Sequence, residues 1–92
     1  MTLQNDVQKA ANILKAAGCT EIFLFGSAAS GEMTTESDLD LAVRGCPPGK
    51  FFQLHGQLLR ELSRPVDLTN LDRDDAFARY LEREGDLLPI AR

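Results

Sequence analysis

The chain is poor in the residues on which several functions depend. Its 92 residues include no tryptophan, one tyrosine and one histidine, His55. The longest apolar run is Ile22-Phe23-Leu24-Phe25, whereas a helix that crosses a bilayer needs about 20 such residues. The start, Met1-Thr2-Leu3-Gln4-Asn5-Asp6, lacks the basic opening and apolar stretch of a secretory signal. A cytoplasmic protein without a membrane partner is therefore expected. Basic residues are scarce too: 10 Lys and Arg stand against 14 Asp and Glu, for a net charge of −4. Coating a nucleic acid takes a surplus of phosphate-neutralising cations, so direct binding to nucleic acid is not expected. An acidic chain that handles phosphate is instead expected to do so through a metal ion. The two cysteines, Cys19 and Cys46, are too few for a disulfide framework or a four-thiolate zinc site. Both read as inert free thiols that pack as small hydrophobes.

What is present describes a folded domain. Hydrophobic residues make up 43% and charged residues 26%, a share of apolar side chains that excludes a disordered chain. The length suits one domain over residues 1–92 with a modest core. So small a core leaves a partner subunit much to add, as a homo- or hetero-oligomer.

Periodicity divides the chain. Leu3, Val7, Ala10, Ala11 and Leu14 recur at helical spacing and predict a helix over residues 2–17, stopped by Gly18. Residues 20–25 are apolar on both alternate rows, as in a strand covered on both faces. Residues 26–37 are small and polar and read as a loop. From 38 to 44 the alternation is clean: Leu39, Leu41 and Val43 on one face, Asp38, Asp40, Ala42 and Arg44 on the other. Phe51, Leu54, Leu58, Leu59 and Leu62 predict an amphipathic helix. Residues 66–71 predict a third strand, and Phe77, Tyr80 and Leu81 align on a helix over 76–84 that Gly85 ends. Residues 87–90 read as an apolar tail, either folded back over the sheet or left as an interface. The order α-β-β-α-β-α predicts an α/β (α+β) fold, a small mixed sheet with helices packed mainly on one face.

The chemistry centres on Asp38-Leu39-Asp40. Two residues apart on a strand, both carboxylates project from one face, and like charges so placed repel unless a cation lies between them. Asp67 has the same parity in its own strand. If that strand lies beside residues 38–44, the three carboxylates converge, an arrangement that holds two Mg²⁺ about 3.5–4 Å apart for displacement at phosphorus. Gly26-Ser27 follows directly on a strand, where a glycine lets the backbone turn sharply and approach phosphate oxygens.

Gly26-Ser27, ten further residues and then Asp38-Leu39-Asp40 resemble the G-S-x10-D-x-D signature of the nucleotidyltransferase superfamily related to DNA polymerase beta. The short chain and Leu24-Phe25-Gly26-Ser27 are similar to its smallest branch, the minimal nucleotidyltransferase (MNT) domains. The resemblance implies a nucleotidyltransferase-like fold and transfer of AMP from ATP to a hydroxyl acceptor, with release of pyrophosphate. It implies that Asp38, Asp40 and Asp67 bind two Mg²⁺ and carry catalysis. It implies that Gly26 and Ser27 bind the nucleotide. MNT proteins of this kind are often antitoxins paired with a HEPN-domain toxin, some of which they silence by adding AMP to a tyrosine. That implies a HEPN toxin as partner. The family often reads G-S-R-A-R-G after the strand, whereas this chain has Ala28 and Ser30 where the arginines stand. Their loss removes strong contacts to phosphate and motivates the alternative, an inactive antitoxin that acts by binding alone.

Three other features take ordinary readings. Asp72, Asp74 and Asp75 precede a helix and suit its N-terminal N–H groups. His55 lies mid-helix and reads as packed or exposed. Arg44 ends the strand that bears the aspartate pair and is given no role.

Overall fold

Among the residues that the computed structural model describes, 3–26, 38–85 and 87–91, there are three helices and four strands. Helix α1 (Leu3–Ala17) buries Ala10, Ala11 and Leu14. It stops at Gly18, whose φ of 106° is open to glycine at little cost. There the amides of Gly18 and Cys19 return to the carbonyls of Lys15 and Leu14 at 3.0 and 3.1 Å. Those two bonds satisfy the carbonyls that a helix end leaves orphaned.

Strands β1 (Glu21–Leu24) and β2 (Leu39–Arg44) run antiparallel, with Glu21 opposite Arg44 and Leu24 opposite Leu41. Helix α2 (Phe51–Glu61) then returns the chain so that β3 (Val66–Asn70) pairs parallel to β2. Helix α3 (Ala76–Glu84) leads to β4 (Leu88–Ala91), which pairs antiparallel with the free side of β1. The sheet order is β3-β2-β1-β4.

Alternation sorts the core into two layers. Ile22, Leu24, Leu39, Leu41, Val43, Val66 and Leu68 face α1 and α2, where Leu14, Leu54, Leu58 and Leu62 meet them. Phe23, Phe25 and Ala42 face the other way and pack with Leu71 and with Leu81 of α3. Two of the three helices thus cover one face, as the patterning predicts.

Two expectations are corrected. The apolar tail is not a flap over the sheet but an edge strand. Its Pro89 argues against a strand by composition, yet proline is tolerated at an edge, where no ladder bond is lost outward. Pro89 stands opposite Phe23, beside an irregularity between Ile22 and Phe23.

The cysteines are not free: Cys19 and Cys46, 27 residues apart, form a disulfide. The register explains it. Continuing the β1–β2 pairing outward from Glu21 and Arg44 places Cys19 opposite Cys46. Thr20 already bonds the Arg44 carbonyl through both its amide and its hydroxyl at 3.0 Å. Spacing along the chain hides what a hairpin register brings together. Closing that ring is expected to add about 2–4 kcal/mol, chiefly by restricting the unfolded chain. Denaturant titration with and without a dithiol reductant measures it, and coincident transitions would show that the ring adds nothing.

Candidate functional site

Strand pairing brings the carboxylates together. Asp40 of β2 and Asp67 of β3 are register partners in the parallel pair, on strands about 4.8 Å apart. A bond from the Leu39 amide to the Pro65 carbonyl, 2.9 Å, fixes where the two strands begin to pair. Asp40 lies two residues before buried Ala42, so it shares the face of Phe23 and Phe25, the face on which α3 lies. Asp38 has the same parity but stands one position before β2, exposed to solvent. Asp67 is exposed and Asp40 half-buried.

The electrostatics match this placement. Burial raises the Asp40 carboxyl above the ordinary carboxylate range, and the negative charges of Asp67 and then Asp38 raise it further. Among the described residues no cation pairs with any of the three. Arg44 shares the face but is held at the far end of β2 by Glu21 at 3.3 Å and Glu82 at 3.0 Å. Also among the described residues, no group of three or more acids, histidines or cysteines closes into a ready metal cage. What stands there is an adjacent pair, Asp40 and Asp67, with Asp38 near enough for its charge to act on Asp40. Hard oxygen donors without a counter-charge fit a Mg²⁺ ion, which takes one or two carboxylates and keeps several waters.

Gly26 follows β1 and closes the other side of Asp40. The Phe25 amide donates to the Asp40 carbonyl at 3.1 Å, and the chain then turns at Gly26 with φ of 64°. A Cβ built on Gly26 would lie 2.4 Å from Asp40 Oδ2. The glycine therefore serves the carboxylate as closely as it serves any ligand, a constraint not visible in the spacing. Gly26→Ala is expected to cost about 1–3 kcal/mol, from the positive φ and the displaced carboxylate together. Thermal melting measures that loss, and an unchanged melt would show that the turn relaxes freely. Ser27, with Ala28 and Ser30, lies outside the described residues.

The remaining sequence candidates fall elsewhere. Asp75 caps α3, its side chain accepting from the Ala78 amide at 2.8 Å. Asp72 accepts from the Gly45 amide at 2.7 Å and ties the start of the 72–75 segment to the end of β2. Asp74 pairs with Arg79. His55 Nε2 lies 2.8 Å from the Val66 carbonyl and joins α2 to β3. An aromatic pair escapes sequence reasoning. Phe77 of α3 meets Phe25 edge-on, ring centroids 6.2 Å apart. Helical periodicity assigned Phe77 to a face but could not say which strand residue it would meet.

The chain as a whole has counterparts among known proteins. The family model for polymerase beta, nucleotidyltransferase, matches residues 8–90. The chain belongs to this family. The nucleotidyltransferase fold is shared with solved structures. One, described as a minimal nucleotidyltransferase, is 26% identical with a TM-score of 0.70, and the match covers 98% of this chain and 97% of that one. A toxin–antitoxin structure with AMP-PNP is 24% identical, with a TM-score of 0.66 over 94% of this chain and 72% of that one. A tri-AMPylated HEPN toxin of Shewanella oneidensis in complex with an MNT antitoxin gives 22% identity, a TM-score of 0.64 and coverage of 94% and 71%. No curated protein matches the chain. Among the described residues of this nucleotidyltransferase domain, no helix is long and apolar enough to cross a membrane.

Proposed function

We propose that residues 1–92 form a minimal nucleotidyltransferase that transfers AMP from ATP, with Mg²⁺, to a hydroxyl of a partner protein, and that the partner is a HEPN toxin whose tyrosine accepts the AMP. The observation that carries this reading is the Asp40–Asp67 register pair, without a counter-charge and with the Gly26 turn closing against it, where no side chain would fit. Family membership and the fold shared with an antitoxin bound to a tri-AMPylated HEPN toxin support it.

Asp38 and Asp40 would hold both Mg²⁺ ions, with Asp67 joining at one of them. Bound there, the ions supply charge neutralisation at the phosphates. The chain's own residues do the rest. Asp67, the more exposed member of the pair, would orient the acceptor hydroxyl and take its proton as the oxygen attacks the α-phosphorus. The new bond is O–P, the bond to the β-phosphate oxygen breaks, and pyrophosphate leaves. Gly26, with Ser27 beyond it, offers backbone and hydroxyl donors to the triphosphate. The cytoplasmic setting is part of the same proposal; in it, intracellular thiol pools would hold Cys19 and Cys46 reduced.

One observation favours a second reading, a domain that neutralises its toxin by binding alone. Ala28 and Ser30 stand where the family often has arginines. A single assay separates the two. The protein is incubated with Mg²⁺, its partner and ATP labelled at the α- or at the γ-phosphate, then run on a denaturing gel. Label on the partner from α-labelled ATP only supports nucleotidyl transfer. A stable complex that takes no label supports binding alone.

A further inference from the structure

We propose that Phe77 is the nucleobase-stacking residue of this site. The inference rests on the nucleotidyl-transfer reading and adds where the base of the donor nucleotide lies.

Two contacts through Phe25 lead from Asp40 to Phe77. Asp40 stands opposite Phe25 in the antiparallel pair, with the Phe25 amide on the Asp40 carbonyl. Opposite side chains in such a pair carry Cβ atoms about 5 Å apart on one face. Phe25 then meets Phe77 at 6.2 Å between ring centroids, with an interplanar angle of 66°. Phe25 is covered and has no ring face to offer. Phe77 is 49% exposed, although it lies one turn from buried Leu81 on the same helix.

Other large apolar side chains are as open, Tyr80 of the same helix at 49% and Phe52 at 79%, but Phe77 is the one in ring contact with Phe25 beside Asp40. A half-open aromatic ring in the first turn of α3 gives the core no more than a leucine would. Beside a phosphate-handling carboxylate pair it offers what the carboxylates lack, an apolar π-surface. A nucleotide whose phosphates lie at Asp40 and Asp67 extends its base one ribose away. Phe77 stands one covered side chain, Phe25, away from Asp40. Stacking of this kind tolerates any base, since every base has a π-face, so Phe77 is expected to contribute to ATP and GTP alike.

The test measures binding of ATP, GTP and inorganic tripolyphosphate, each with Mg²⁺, to the full chain and to Phe77→Leu and Phe77→Trp. Leucine keeps an apolar contact with Phe25 and removes the π-face. The expected result is that Phe77→Leu weakens ATP and GTP about tenfold and leaves tripolyphosphate unchanged, while Phe77→Trp binds both nucleotides at least as tightly as the parent. Equal ATP affinity in parent and Phe77→Leu overturns the inference, as does an equal loss for tripolyphosphate, which would mark a general disturbance of the site. If the parent binds tripolyphosphate but gains nothing from the base, stacking is refuted and the phosphate site stands. If the parent binds neither nucleotide nor tripolyphosphate, the nucleotidyl-transfer reading itself fails, and the role of Phe77 with it.

Discussion

Asp40→Asn is expected to lower AMP transfer about a thousandfold and leave the fold intact. Charge stabilisation by bound metal contributes several kcal/mol to such a transition state, and about 1.4 kcal/mol is a factor of ten. An amide keeps the shape of the side chain but loses the anionic oxygen that faces Asp67. The same substitution carries a second signature. Burial and the charges of Asp67 and Asp38 hold the Asp40 carboxyl above its ordinary range. Its ionised form is therefore disfavoured by the fold, and that penalty grows as pH rises through the folded value. Replacing it with a neutral amide removes the penalty, so the variant is expected to melt at or above the parent temperature at neutral pH. Steady-state transfer and a thermal melt on one preparation check both halves. Loss of activity together with a lower melting temperature would make Asp40 a structural residue. Parent-like transfer would remove it from the reaction.

Asp6→Ala is expected to destabilise the protein by about 3–5 kcal/mol, the usual cost of leaving a buried partner uncompensated. Asp6 of α1 is fully buried. Its carboxylate accepts from the Ser63 hydroxyl at 2.5 Å, the Ser63 amide at 3.2 Å and Arg64 Nε at 3.0 Å. These bonds clamp the 62–65 connection, which sets where β3 starts and so where Asp67 meets Asp40. Burial alone would raise this carboxyl; the bonds from Ser63 and the charge and bond of Arg64 outweigh it and lower it below the ordinary range. A depressed folded value means that the stabilisation is present above the unfolded value, near 4, and is lost as pH falls through the folded value. Parent and variant stabilities should therefore converge as pH falls from about 4 toward the folded value and differ by the full, constant amount above about pH 4. Denaturant titrations on both sides of that pH measure the gap, and a gap that stays constant into acid would assign the effect to packing instead of charge.

The two aspartates illustrate what each level of description contains. Asp40 stood out as a candidate for chemistry, because acidic residues at alternate positions of a strand are disfavoured without a ligand. Asp6 gave no such signal. An acid in the first turns of a helix reads as ordinary dipole compensation, and its partners lie more than fifty residues away. The Cys19–Cys46 bond and the Phe25–Phe77 contact escaped for the same reason: each joins residues that only a register or a helix placement makes neighbours. The tail over residues 87–90 was misread because a four-residue strand with a proline carries almost no period of its own. Its strandedness is imposed by the open side of β1.

The amino-acid order determined by itself the elements with strong period, the stop at Gly18, the two apolar rows of β1 and the parity that puts Asp38, Asp40 and Asp67 on one side of their strands. These depend on spacing within a few residues, where backbone geometry leaves few choices. Tertiary structure alone decided that β3 pairs with β2 so that Asp67 stands beside Asp40, that Gly26 leaves room for Asp40 Oδ2, and that α3 brings Phe77 against Phe25. Those are long-range pairings. They depend on which apolar faces bury one another most completely and on where the strand ladders close, and neither quantity exists until the whole chain is folded.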